Sequence, residues 1–85
     1  EIVTDVIVRC DDYLAKIIQT RPLHIEQKVV PLEDGGCEIH VEEMTRFRLI
    51  TWVMHQCGRA TIIQPESSCS KVVVFAQEIL TKHKS

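Results

Sequence analysis

The arginine pair Arg46 and Arg48 is the feature of this sequence that most directly indicates binding chemistry. Ahead of the polar tail at Thr81–Ser85, no other two basic residues lie so close together. Both fall in the first turn of a predicted helix, where acidic side chains are normally favoured. This pattern is typical of a solvated surface or of a contact with an anion or a protein partner. We take both arginines as candidate contact residues.

Four further polar residues complete the set of candidate partner or effector contacts: Arg9, His40, His24 and Gln27. Arg9 and His40 lie on the predicted open face of a sheet. The other members of that face are Asp5, Ile7, Glu38, Glu42, Thr61 and Ile63. Arg9 is expected to form an ion pair with Glu38 or Glu42 across neighbouring strands. The face is either a solvated surface with weak ion pairs or a docking surface for a partner or a shallow effector site.

His24 and Gln27 stand just before or at the start of a predicted strand. Their side chains either hold the loop after Pro22 in place or contact an effector. Trp52 is expected to anchor its helix in the core or at the edge of the core.

Catalytic, metal and cofactor chemistry is not indicated by the nucleophilic side chains. The four cysteines, Cys10, Cys37, Cys57 and Cys69, form no Cys-x-x-Cys pair and lie in apolar patterns, so we predict small buried hydrophobic residues in a reducing compartment. Cys37 and His40 fall on opposite faces of one predicted strand, which separates a thiol from its nearest base. We therefore predict no enzyme activity, no metal site and no cofactor.

Composition limits the chain to one small globular domain over residues 1–85, with 45% hydrophobic and 26% charged residues. Ten basic residues against 12 acidic ones give a formal net charge of −2, and the basic residues are scattered. This balance argues against a main role in binding nucleic acid. No apolar run is long enough to span a membrane. Because the chain opens at Glu1 without an initiator Met, we expect a fragment of a larger protein.

The elements follow from periodicity and turn residues. Strands are predicted at 3–10, 25–32, 37–41 and 60–64, with helices from the N-cap Asp11 to before Arg21, at about 44–57 and at about 67–82. The order β-α-β-β-α-β-α predicts an α+β fold, a ferredoxin-like split βαββαβ sandwich with a four-stranded antiparallel sheet and an additional C-terminal helix. Pro31 indicates that the second strand lies at a sheet edge.

Two apolar helix stripes are predicted to be buried. In the second predicted helix, at about 44–57, the stripe consists of Phe47, Ile50, Val53, Met54 and Cys57, flanked by Leu49 and Trp52. The stripe of the last helix consists of Cys69, Val72, Val73, Ala76, Ile79 and Leu80.

Several motifs together resemble one known family. They are His24-Ile25-Glu26-Gln27, Leu32-Glu33-Asp34-Gly35-Gly36, Leu49-Ile50-Thr51-Trp52-Val53-Met54 followed by Gly58, and Thr61-Ile62-Ile63-Gln64-Pro65. In this order they resemble the WCX domain, the C-terminal extension of bacterial WYL-type transcriptional regulators, over about residues 4–80. The chain departs from the family at Glu26, where a Ser is frequent, and in having only Arg59 and Ala60 between Gly58 and the last strand.

The resemblance implies a cytoplasmic transcriptional regulator with three parts. A winged helix-turn-helix domain outside this chain would bind DNA, a WYL domain would sense an effector, and this extension would act in self-association and signal relay. Two alternatives remain open. The chain is either an ACT-like module that binds a small molecule near Asp11 and Asp12, or an accessory domain that contacts single-stranded nucleic acid through Arg46 and Arg48.

Overall fold

The computed structural model of the chain describes residues 1–84. The elements in chain order are β1 (Ile2–Cys10), α1 (Asp12–Ile17), β2 (Lys28–Pro31), β3 (Cys37–Thr45), α2 (Arg46–His55), β4 (Ala60–Gln64) and α3 (Glu66–Lys84). The predicted α+β class, the four strands and the additional C-terminal helix are confirmed.

The four strands form one open antiparallel sheet in the order β2-β3-β1-β4. β1 pairs with β3 along almost its whole length, from Ile2 opposite Thr45 to Cys10 opposite Cys37. β2 lies at an edge, where the missing N–H of Pro31 costs the ladder least.

The hydrophobic core lies between one face of the sheet and the helices. Its largest fully buried side chains include Val6 and Val8 from β1, Ile39 from β3, Leu14 from α1 and Leu49 from α2. These residues belong to a single cluster, so α1 and α2 pack on the same face of the sheet. The opposite face of the sheet, which carries Arg9, Glu38 and His40, is not part of the cluster.

β3 extends four residues beyond the predicted end at Val41, and α2 begins at Arg46 instead of Met44. The side-chain alternation of β3 breaks after Val41, because Glu42 and Glu43 are both exposed and Met44 is buried again. β1 breaks at the same level, where Asp5 has a positive φ of 52°. A strand with such an irregularity does not follow a period of two. For this reason the alternation in the sequence did not predict that β3 continues from Glu42 to Thr45.

β2 begins at Lys28 instead of Ile25. The residues before it form a turn held by side chains. The Gln27 Oε1 atom accepts hydrogen bonds from the backbone N–H groups of Leu23 (2.8 Å) and His24 (3.2 Å). The His24 Nδ1 atom accepts one from Glu26 N–H at 3.0 Å. The interpretation that His24 and Gln27 hold the loop after Pro22 is confirmed, while an effector contact at these residues stays a prediction.

The buried stripe of α2 is rotated relative to the prediction. Leu49, Ile50 and Val53 are buried, whereas Phe47 is 77% exposed and Cys57, beyond the helix end, is also exposed. The prediction that Phe47 and Cys57 are buried was wrong. Phe47 lines an open groove with Phe75 because α3 covers only part of that side of α2, and Cys57 lies past the last residue of α2.

The predicted buried stripe of α3 was also wrong over most of its length. Ser68 is the only buried residue of this helix within residues 1–84, and Cys69 and Val72 are partly buried against the core. From Val73 onward every residue of the helix up to Lys84 is exposed. None of the helices in residues 1–84 combines the length and apolar character needed to cross a lipid bilayer.

Candidate functional site

Helix α2 has two exposed flanks, one on each side of its buried stripe. The first flank faces α3 and forms a groove of about 410 Å³, lined by the apolar side chains of Phe47, Ile50, Met54 and Phe75. We call this set the α2–α3 groove. Its rim is polar and consists of Glu1, Arg46, Thr51 and Lys71. An apolar depression with a charged rim is typical of a protein-docking surface.

Arg46 lies at this rim and already contacts Glu1 and Ser67 of the same chain. Its Nη2 atom is 2.9 Å from the Glu1 Oε2 atom and donates a hydrogen bond to the Ser67 Oγ atom at 3.3 Å. Its backbone N–H donates to the Glu1 carbonyl at 2.8 Å. The Glu1 carboxylate therefore neutralises the Arg46 guanidinium and joins the start of β1 to the start of α2.

The half of α3 beyond Val72 carries an apolar stripe that the rest of residues 1–84 covers only in part. The stripe consists of Phe75, Ala76, Ile79 and Leu80, and we call it the α3 stripe. Phe75 is 43% exposed, Ile79 51% and Leu80 49%. At 3.6 residues per turn, Ala76 and Ile79 continue the line that Val72 begins where the helix touches the core. The face that packs on the body thus runs on into solvent.

The second flank of α2 borders the loop after α1 and forms a depression of about 510 Å³. Its lining includes Arg21, Arg48, Thr51, Trp52 and His55, and we call this set the basic pocket. Arg48, Trp52 and His55 share one side of α2 because they follow each other at intervals of one turn. Thr45, just before α2, caps the helix by accepting a hydrogen bond from Arg48 N–H at 3.3 Å.

The open sheet face holds a small ion-pair network centred on Glu38. The Arg9 Nη2 atom and the His40 Nε2 atom each lie 3.2 Å from a Glu38 carboxylate oxygen. The hydrogen bond from Arg9, followed by the one from His40, lowers the pKa of the Glu38 carboxyl below its ordinary value. The predicted pairing of Arg9 with Glu38 is confirmed.

The six sequence-predicted contact residues are therefore distributed over four places. Arg46 and Arg48 lie on opposite flanks of α2, although they are two residues apart. Arg9 and His40 meet at Glu38, and His24 and Gln27 hold a loop. Sequence reasoning missed Arg21, His55 and Phe75. The spacing of Arg48, Trp52 and His55 was a signal for a common flank, but nothing local placed Arg21 beside it.

Two cysteines lie in the core and face each other. Cys10 on β1 is directly opposite Cys37 on β3, and both are buried. Burial, together with the neighbouring Cys37, raises the pKa of the Cys10 thiol to about 12. Cys57 is exposed, so the prediction of burial was wrong for this residue. Within residues 1–84 no three His, Cys, Asp or Glu side chains are arranged to hold a metal ion.

Comparison with known families gives one match. The family model of the WCX domain matches residues 3–80 of the chain. No curated protein matches the sequence.

Proposed function

The chain belongs to the WCX domain family, which forms the C-terminal domain of WYL-type regulators, and we propose that it joins two copies of such a regulator without being an enzyme. In this proposal the domain also relays the effector signal to the WYL and winged helix-turn-helix domains of the same protein. The helix-turn-helix domain binds DNA, and the regulator acts in the cytoplasm. No membrane partner is involved.

The main observation in support of self-association is the α3 stripe. Phe75, Ile79 and Leu80 are large apolar side chains, each about half exposed. Contiguous exposed apolar side chains on a helix are characteristic of an interaction surface. In this proposal the α3 stripe of one copy packs against the α3 helix and the α2–α3 groove of a second copy.

Charge along α3 supports an antiparallel arrangement of the two helices. With a two-fold axis near Phe75, Lys71 of one copy lies opposite Glu78 of the other, and Glu66 lies opposite Lys84. A parallel arrangement would place each of these charges beside the same charge of the second copy, which is repulsive. Antiparallel packing also aligns the helix dipoles favourably, and a two-fold axis is the usual symmetry of homodimers.

The α2–α3 groove supports the same arrangement, because Phe75 belongs to both the groove and the α3 stripe. A partner helix that crosses near Phe75 brings its own Ile79 and Leu80 towards Phe47 and Met54. The contact is reciprocal, so each copy fills the groove of the other. A stable interface of this kind usually buries about 800 Å² per partner, more than the stripe supplies alone. The groove provides the additional apolar area.

The non-catalytic part of the proposal is supported by the burial of Cys10 and Cys37. A thiolate is the reactive form of cysteine, and the pKa of about 12 keeps Cys10 protonated. The ferredoxin-like assignment also stays a proposal. It is supported by the strand order β2-β3-β1-β4 and by antiparallel pairing throughout the sheet.

The ACT-like alternative is less well supported. Asp11 in the loop after β1 accepts a hydrogen bond from Leu14 N–H at 2.8 Å and forms an ion pair with Arg59 at 2.9 Å. The Arg59 guanidinium also lies 4.3 Å from the centre of the Tyr13 ring. These contacts within the chain already occupy the polar groups that such a ligand would need.

Sedimentation velocity of the chain and of two matched variants tests self-association. Ile79→Glu places a charge in the α3 stripe, whereas Val74→Glu places it on the other side of the same helix, at 54% exposure against 51% for Ile79. We expect a dimer for the parent chain and a dissociation constant raised roughly tenfold or more by Ile79→Glu. Val74→Glu should leave the dimer unchanged.

A monomeric parent chain at concentrations of about 0.5 mM would refute the self-association role, since a dissociation constant above 1 mM corresponds to only about 4 kcal/mol of binding. Equal weakening by both variants would instead refute the α3 stripe as its site. Signal relay is tested in the whole regulator, where Ile79→Glu should reduce the response to effector more than Val74→Glu does.

A further inference from the structure

The basic pocket combines positive charge with the absence of an acidic neighbour. Arg21, Arg48 and His55 contribute to its lining, and no Asp or Glu does. Neither arginine forms an ion pair with any residue of the described chain, 1–84. Elsewhere in the molecule the arginines Arg9, Arg46 and Arg59 each pair with a carboxylate. The pocket therefore concentrates unneutralised guanidinium groups in a chain whose net charge is −2.

Two unpaired guanidinium groups match a particular anion. A phosphate monoester carries close to two negative charges at pH 7, because its second pKa is about 6. Guanidinium groups bind phosphate oxygens through paired N–H donors, which a lysine cannot reproduce. A phosphodiester carries a single charge, so one arginine would remain without a counter-charge.

Trp52 adds a flat apolar surface beside the two arginines. Its side chain is half-buried against the core, which fixes the position of the ring, while one part of it lines the pocket. Indole rings stack on nucleobases with useful energy and little dependence on the base. The pocket volume of about 510 Å³ lies within the range of small-ligand sites.

We propose that the basic pocket is a binding site for a ring-bearing phosphate monoester of the nucleoside monophosphate class. Arg21 and Arg48 hold the phosphate group, and the base stacks on Trp52. Thr51 and His55 offer further polar atoms at the rim. Arg21, Arg48, Trp52 and His55 line the basic pocket and not the α2–α3 groove, and Thr51 lies at the rim of both.

The chain contains a single tryptophan, so its fluorescence reports directly on this pocket. The probe is adenosine monophosphate, titrated against the chain, with adenosine and inorganic phosphate as separate arms. We expect saturable quenching by adenosine monophosphate and binding of adenosine that is roughly tenfold or more weaker, since it lacks the charged group. Inorganic phosphate should compete with the nucleotide without quenching.

The double variant Arg21→Gln/Arg48→Gln should weaken nucleotide binding roughly tenfold or more. Arg9→Gln, which removes one positive charge from the distant sheet face, is the matched control for the single variant Arg48→Gln and should bind as the parent does. Both pocket arginines are exposed, so circular dichroism should show an unchanged fold, and the single variant Arg48→Gln provides a second test.

Three results would overturn the proposal. The first is no saturable quenching by adenosine monophosphate up to about 10 mM, which is weaker than any useful site. The second is equal binding by the parent and the Arg21→Gln/Arg48→Gln variant. The third is tighter binding of an oligonucleotide without terminal phosphates than of the mononucleotide, which would indicate a strand-binding surface instead.

Discussion

The two flanks of α2 belong to one ten-residue helix and yet carry different chemistry. On the flank that faces α3, Arg46 is neutralised by Glu1 and the surrounding side chains are apolar. On the other flank, Arg48 shares a pocket with Arg21 and has no acidic neighbour in the lining. The difference shows that a basic residue acquires its role from the elements packed beside it, because α2 supplies both arginines from the same first turn.

The comparison requires that α2 is held firmly on the sheet, and Leu49 is the side chain that tests this most strongly. Leu49 is fully buried beneath both flanks. Leu49→Ala should lower the free energy of unfolding by about 2–5 kcal/mol, from lost apolar burial and the cavity that remains. Urea denaturation measures it. Val74→Ala, on an exposed position of α3, is the control and should change stability by less than about 0.5 kcal/mol. A loss below about 1 kcal/mol for Leu49→Ala would contradict the packing described.

The next largest expected effect is a pH dependence of stability that arises from Cys10 in the sheet beneath α2. The pKa of the Cys10 thiol is raised from its ordinary 9.0 to about 12. The contribution of Cys10 to the free energy of unfolding is fully present below about pH 9, where its thiol is protonated in both the folded and the unfolded chain. Between about pH 9 and 12 the unfolded chain loses the proton while the folded chain keeps it, so stability falls as pH rises.

Urea midpoints of the parent, Cys10→Ala and Cys57→Ala chains at pH 8 and at pH 10.5 check this expectation. Cys10→Ala should lose less stability than the parent between the two pH values. Cys57 is exposed, so Cys57→Ala should follow the parent. The same pH dependence in all three chains would be evidence against a buried, protonated Cys10.

The smallest expected effect is a difference in stability between variants of Arg46 and Arg48. Arg46→Ala removes the contacts with Glu1 and Ser67 and should cost up to about 1 kcal/mol, because the Glu1 carboxylate is largely exposed and screened by water. Arg48→Ala should change the free energy of unfolding by less than about 0.5 kcal/mol. Thermal melts of both variants make the comparison. A larger loss for Arg48→Ala would give it a structural role and weaken the flank assignment.

Elements with local signals were predictable from the sequence. The Asp34-Gly35-Gly36 turn is one example, since Gly35 adopts a φ of 91° and the Asp34 Oδ1 atom accepts a hydrogen bond from Gly36 N–H at 2.8 Å. The N-cap at Asp11 is another. Both depend on interactions within a few residues, where residue type and spacing carry the information.

The position of the apolar surface along α3 was not predictable in this way. Helical periodicity identified Ile79 and Leu80 as one side of an amphipathic helix, but it contained no information on where the body of the domain ends. The same limit applies to Phe47 on α2. An apolar stripe predicts that a surface will be covered, and only the packing of distant elements decides whether this chain supplies the cover itself.

The amino-acid sequence by itself determined the order of the elements, the α+β class, the edge position of β2 and the family to which the chain belongs, because these depend on periodicity, turn residues and motif order along the chain. Only the tertiary structure decided that Arg46 and Arg48 serve different surfaces, that Arg21 joins Arg48, and that half of α3 lies beyond the core. Those outcomes depend on contacts between residues far apart in sequence, which local chemistry does not encode.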